Sequence, residues 1–295
     1  MNQFLQATVY GLLQGGLLAL VAVGFSLVWG VMNVVNLAHG AFVLGGAYVA
    51  LQLHDAFGLD PFVSMVPAAV VLFGIGYVIQ RFLINLVVNG PLFLTLLLTF
   101  GLELILVNVM LTWFTADHQS IPTSYAEKSL VFPGDIRLPY GRLIAALLAV
   151  GITIGLVYVM RRTRTGLSIL ATGMDRGAAR LMGIKARHVY ALTFGIAAAL
   201  AGAAGAALGA VSTFSPADVT HLTLFSFIVA VLGGLGNMWG ALYGGLVLGL
   251  VQSIGGQLLP GTLINAVAFG ALVLVLAFRP EGIAGKAFYA SKLEV

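Results

Sequence analysis

The sequence predicts an all-α fold, a polytopic bundle of transmembrane helices with eight to ten membrane segments, and three observations predict it. Of 295 residues, 60% are hydrophobic and only 8% are charged, whereas soluble domains carry about 25% charged residues, so lipid must solvate most of this surface. The apolar runs are long and continuous, as at 145–160 and 192–211, whereas a membrane barrel reads as alternating segments of about ten residues. The 38 glycines fall mostly inside the apolar runs, where small residues let helix backbones approach closely in lipid. In hydrocarbon every backbone polar group must be satisfied internally, and helices do this segment by segment.

A crossing needs about 20 apolar residues. Nine apolar runs qualify in whole or in part: 4–30, 41–53, 62–79, 92–114, 143–160, 189–211, 222–235, 241–254 and 263–278. Three of them, 41–53, 222–235 and 241–254, are short and read as half-spanning or broken helices. Together the runs make one membrane domain, 1–295. No Lys or Arg precedes the first run, and a secretory signal needs a basic start, so this run reads as a retained span. With no Cys in the chain, disulfides and thiolate metal sites are excluded, and the net charge of +4 sits at membrane boundaries and gives no reason to expect nucleic acid.

Charge orients the spans. The loop 161–187 holds seven of the fourteen basic residues against one acid, Asp175. Cytoplasmic loops carry the Lys/Arg excess, so this loop is expected in the cytoplasm. The loop 115–142 balances Lys128, Arg137 and Arg142 against Asp117, Glu127 and Asp135 and is expected outside, as is the N-terminus by counting back five segments. Arg279, Lys286 and Lys292 favour a cytoplasmic C-terminus, against Glu281 and Glu294.

The sequence also reads as an internal repeat. Shifted by 200 residues, positions 25–52 match at seven places, including Phe25-Ser26 with Phe225-Ser226, Gly40-Ala41 with Gly240-Ala241, and Gln52 with Gln252. In both copies an apolar run breaks at a polar or Gly-rich knot, 33–39 and 233–239, and resumes as a Gly-rich helix. Two ordinary helical hairpins would give the same pattern, but many transporters are built from two repeats whose discontinuous helices meet at the substrate site.

Four stretches resemble the permeases of branched-chain amino-acid ABC importers. They are Gly24-Phe25-Ser26-Leu27-Val28-Trp29-Gly30 running into Val35-Asn36-Leu37-Ala38-His39-Gly40-Ala41 and Gly45-Gly46-Ala47-Tyr48; Arg161-Arg162-Thr163-Arg164-Thr165-Gly166 followed by Asp175-Arg176-Gly177-Ala178-Ala179-Arg180-Leu181-Met182-Gly183-Ile184; Val231-Leu232-Gly233-Gly234-Leu235-Gly236-Asn237-Met238-Trp239-Gly240-Ala241; and Phe278-Arg279-Pro280-Glu281-Gly282-Ile283. They stand in the family's order over nearly the whole chain and look like the smaller of its two permease types. The resemblance implies a bacterial inner-membrane subunit paired with a second homologous permease, two ATP-binding cassette ATPases and an extracytoplasmic substrate-binding protein. It implies no cofactor and no enzymatic activity of its own. Relatives of this kind carry leucine-type or other amino acids, urea, amides or small aromatic acids, so the cargo class stays open.

Two groups of residues are singled out. Beyond its topological charge, the basic loop contains a segment long for a bare connection, since helix–helix loops usually run about 2–8 residues. Asp175, Gly177, Ala178, Ala179, Met182 and Gly183 form a short helix whose small and apolar groups can fit a groove on an ATPase. Its Gly-Ala-Ala-x-x-x-Gly spacing is similar to the importer coupling loop, without that loop's Glu and Leu-Pro. The chain has no Gly-x-x-x-x-Gly-Lys-Ser/Thr loop, so ATP must be hydrolysed on separate chains. The second group marks a translocation pathway: Asn33, Asn36, His39 and Gly40 in the first break, Gly233, Gly236 and Gly240 in the second, and Glu103. A carboxylate at membrane depth costs at least about 2.5–3.5 kcal/mol to insert and must face protein or water. Glu103 therefore either meets a substrate ammonium or makes a hydrogen bond between helices, and the latter is favoured. Asn36 is equally readable as a turn cap. His39 has no second His or acid at ligand spacing, so a metal site is not expected.

The rival reading is an ion-coupled secondary transporter, which would need acids or His in several spans. A haem-bearing membrane anchor would need paired axial ligands. Glu103 and His39 are nearly alone at membrane depth.

Overall fold

The computed structural model describes residues 2–125, 128–132 and 136–285. Glu127, Asp135, Lys286, Lys292 and Glu294, used above for sidedness, lie outside the described residues.

The long helices are α1 (Asn2–Met32), α2 (His39–Phe57), α3 (Pro61–Ile79), α4 (Leu92–Phe114) and α5 (Tyr140–Arg162). Two short helices, α6 (Arg164–Met174) and α7 (Arg176–Leu181), fill the basic loop. They are followed by α8 (Ala186–Gly209), α9 (Val219–Gly233), α10 (Met238–Leu258) and α11 (Ile264–Phe278). A two-stranded hairpin, β1 (Ser129–Phe132) with β2 (Ile136–Pro139), is the one sheet among the described residues. Among the described residues, seven helical segments are long and apolar enough to cross a membrane, and α2 at 19 residues and α11 at 15 pack with them. The run 241–254 belongs to a full 21-residue helix, α10, because residues 238–240 and 255–258 extend it at either end.

Two ends of the bundle are distinct. Gln6 donates to the Arg137 carbonyl and accepts from the Arg137 amide, so α1 begins beside β2 at the hairpin end. It finishes at the Arg-rich end, where Gly30 touches the backbone of Gly173 in α6 and Gly236 after α9. α10 runs back antiparallel, and the Gln257 amide reaches the Gln3 carbonyl. The seam between α1 and α10 is made of glycine: a Cβ on Gly11 or Gly15 would strike the backbone around Gly245 and Gly249. This is the small-residue packing that replaces hydrophobic attraction between helices in lipid. α1 and α8 are mostly buried at the centre, whereas α3, α4 and α5 keep broad exposed faces.

α2 and α9 each begin inside the bundle and not at one of its ends. After Met32 the chain turns at Asn33, in left-handed backbone with φ 53°, and runs back along α1. His39, the first residue of α2, is held by Nε2 to the Val21 carbonyl at 2.8 Å, and Val21 lies 11 residues before the end of α1. α2 thus starts about 16 Å up α1 at 1.5 Å per residue, and it proceeds to the hairpin end, where Tyr48 stacks on Phe114 with ring centroids 4.1 Å apart. α9 does the reverse. The segment 210–218 returns from the hairpin end, pinned there by paired Gln119–Phe214 backbone bonds. α9 then begins level with Glu103, in the middle of α4, and descends to the Arg-rich end. The break matching 33–38 in depth is therefore 210–218. The break at 234–237 is a tight turn at the end of the bundle, with Gly234 and Gly236 at φ 103° and 82°.

Candidate functional site

The starts of α2 and α9 meet. The Gly40 amide donates to Thr223 Oγ1 at 2.9 Å, and that hydroxyl donates to the Leu37 carbonyl at 2.9 Å. Thr99 of α4 answers the same break from the other side, accepting from the Leu37 amide at 3.3 Å and facing the Val35 carbonyl at 3.2 Å. Backbone freed by a helix break at this depth needs partners from the protein, and two threonine hydroxyls supply them. One turn along α4 from Thr99, Glu103 accepts from Thr220 Oγ1 at 3.1 Å. Glu103 is buried and thus makes the hydrogen bond between helices favoured from the sequence. Its carboxylate also sits against the first turn of α9, where the helix dipole favours negative charge.

Below this junction, toward the Arg-rich end, lies a cavity of about 680 Å³. Trp29, Asn33, Thr95, Arg161, Asn237 and Trp239 are among its lining residues. Both sequence breaks contribute to it, through Asn33 and Gly236. Thr95, Thr99 and Glu103 follow one another at four-residue intervals on α4, so a polar stripe climbs from the cavity wall to the mid-depth junction. Thr95, Thr99 and Asn36 are buried, and the Asn36 Oδ1 has no hydrogen-bond partner among the described residues. Above the cavity the stripe is closed.

The other pathway residues are distributed differently. His39 and Gly40 lie at the junction, with Gly40 against the Val219 backbone. Gly233 and Gly240 face each other across the turn from α9 to α10, and a Cβ on either would strike the other's backbone. Asn237 caps α10, its Oδ1 accepting from Trp239 and Gly240, while Ser26 donates to its carbonyl. The sequence singles out Glu103, but not its neighbours Thr95 and Thr99 on the same stripe or the paired Thr220 and Thr223, although their four- and three-residue spacings are there to be read.

In the basic loop, Asp175 caps α7 by accepting from the Gly177 and Ala178 amides at 2.7 and 3.0 Å. Gly183 ends that helix in left-handed backbone, φ 81°, which glycine adopts freely. The helix is tied down by Arg176, whose guanidinium bonds Asn89 and lies 4.9 Å over the Tyr190 ring. Ala179 is turned inward and buried, whereas Leu181 is 90% and Met182 83% exposed. Exposed Met174 precedes them. The apolar surface offered by this loop is thus Met174, Leu181 and Met182, with Ala178 beside them.

Residues 7–277 match the family described as branched-chain amino acid transport system, permease component. The chain belongs to this permease family. Among curated relatives, the high-affinity branched-chain amino acid transport system permease protein BraD of Pseudomonas aeruginosa is 32% identical, with 96% of each chain covered. LivH of Escherichia coli K12 is 31% identical at the same coverage. The probable branched-chain amino acid transport permease LivH of the archaeon Methanocaldococcus jannaschii is 27% identical over 93% of this chain and 90% of that one. With seven membrane-length helices and bacterial relatives of this kind, the permease is a multi-pass inner-membrane protein.

Proposed function

We propose that this permease conducts branched-chain amino acids into the cytoplasm as one membrane subunit of an ABC importer. The observation that carries the reading is the family match along nearly the whole chain, joined to two helices that begin inside the bundle and whose starts meet above an open cavity. The Arg-rich end is the cytoplasmic end by its charge, so the cavity opens inward and the closed stripe above it is the gate of an inward-facing state. One of the two ATPase subunits docks on the basic loop through Met174, Leu181 and Met182, and ATPase closure is transmitted through α6 and α7 to Gly30 and the cavity wall. A second homologous permease completes the membrane core, and an extracytoplasmic binding protein delivers substrate to the hairpin end.

The test is reconstitution of the permease with its partner permease, ATPases and binding protein in liposomes. Leucine uptake should require ATP and the binding protein together. Uptake by the permease alone, driven by a sodium or proton gradient, would overturn the reading.

A further inference from the structure

A second pocket, of about 640 Å³, opens at the Arg-rich end and is lined by Arg81, Arg180, Lys185, Arg187 and His188, with Ile184 and Ala186. No carboxylate lines it, and among the described residues none of these four Lys and Arg side chains pairs with one. The pocket is built by the fold. α3 continues through a π-helical turn, Gln80–Ile84, into a last α turn, Asn85–Val87. Gln80 donates to Asn85 Oδ1 at 3.2 Å, and Asn85 donates to the Arg187 carbonyl at 3.2 Å. These two buried amides fasten the π turn to the start of α8 and so set Arg81 beside Arg187. The 24-residue α8 opens into the same pocket from a Lys185 that makes no side-chain cap; the His188 and Val189 amides turn back to the Lys185 carbonyl, and the Ala186 and Arg187 amides precede the first intrahelical bond.

The position of the pocket relative to lipid follows from α3. Its outward face is a continuous apolar stripe through Val66, Val70, Val78, Phe82 and Leu86, all exposed. The span Pro61–Val87 has 27 residues, about 40 Å at 1.5 Å per residue, against a hydrocarbon core of about 30 Å. Arg81 lies six residues, about 9 Å, from its end, which sets it within one turn of the hydrocarbon boundary. An apolar stripe therefore runs along α3 and terminates, at headgroup depth, beside a pocket holding four cations and a helix N-terminus.

We propose that this pocket binds the phosphate-bearing headgroup of an anionic phospholipid, whose acyl chains lie along the α3 stripe. The ligand chemistry is a phosphate diester beside hydrocarbon: cations and helix amides take the phosphate, and Phe82 and Leu86 take the chain. Each Lys or Arg near a membrane surface contributes about 1 kcal/mol toward anionic lipid. Neutralising two should therefore weaken binding about 30-fold at 1.4 kcal/mol per tenfold.

The experiment uses the full-length permease in phosphatidylcholine nanodiscs with and without phosphatidylglycerol, with retained lipid counted by native mass spectrometry and stability followed by thermal melting. Wild-type protein should retain phosphatidylglycerol and melt higher with it. Arg81→Gln with Lys185→Gln should lose that preference about 30-fold and melt as wild type does in phosphatidylcholine alone. Arg162→Gln with Arg164→Gln, at the same end but outside the pocket, should keep it. A second pair, Arg180→Gln with Arg187→Gln, is read in the same way, so a folding defect in one pair does not decide the outcome. Equal loss in the control pair would reduce the effect to general surface charge and overturn the site. So would displacement of the lipid by inorganic phosphate, which would assign the pocket to free anions. Pocket variants that keep the lipid but no longer co-purify with the ATPases would assign it to protein docking instead.

Discussion

Thr223→Val is the sharpest perturbation of the mid-depth junction. Valine keeps the shape of threonine, so no cavity opens, and only the hydroxyl is lost. That hydroxyl serves the Leu37 carbonyl and the Gly40 amide at once. An orphaned buried polar group costs about 1–3 kcal/mol, whereas single hydrogen bonds inside membrane proteins average about 0.6 kcal/mol with a maximum of about 1.7. Two bonds at one site therefore predict a loss of about 1–3 kcal/mol. Unfolding in mixed micelles, read by circular dichroism against denaturing detergent, measures it, and Thr223→Ser should restore most of the loss. Uptake by the reconstituted importer should fall in Thr223→Val, because the starts of α2 and α9 are no longer held together. A variant as stable as wild type and fully active would refute the claim that Thr223 sustains the break.

Other substitutions separate neighbouring roles. Leu181→Asp with Met182→Asp should leave the permease folded and abolish ATP-driven uptake, whereas Ala179→Arg should destabilise the basic loop itself because Ala179 is buried; equal melting temperatures for the two variants would contradict this division. A single Cys at Lys185 should react with an impermeant thiol reagent only from the cytoplasm, and one at His118 only from outside, with labelling in the reverse sense overturning the orientation. Glu103→Gln keeps an acceptor for Thr220 and should retain most uptake, while Glu103→Leu orphans that hydroxyl and should lose stability by about 1 kcal/mol; a Gln variant without transport would assign the charge itself a role.

The bundle was legible in the sequence because span length and apolar continuity are local properties. So was the break at 33–38, where Asn33, Asn36 and His39 interrupt an apolar run. The second mid-depth break was not. Residues 212–218 look like any polar connection after the apolar run 189–211, and nothing local records that the Gln119–Phe214 pairing and packing on Tyr48 draw them inward. The Gly-rich knot at 233–240 reads in sequence as the counterpart; its Gly233 and Gly240 let α9 and α10 approach closely, and its Gly236 lines the cavity. The outward surface of α7 was only half legible, since helical spacing groups Ala178, Ala179 and Met182 but cannot tell which side the body of the protein covers.

The glycine seam between α1 and α10 has a mechanical consequence. Where side chains separate two helices, one can slip against the other by changing rotamers, which cushions the movement. Along Gly11, Gly15, Gly245 and Gly249 backbone meets backbone, and no rotamer exists to yield. Close-packed interiors transmit strain, and here two rods are splinted into one stiff strut running the full height of the molecule. Close contact of this kind couples the Met238–Gly240 end, beside the cavity, to Gln257 and Gln3 at the hairpin end. Along this seam α1 and α10 approach as backbones and would have to move as a pair.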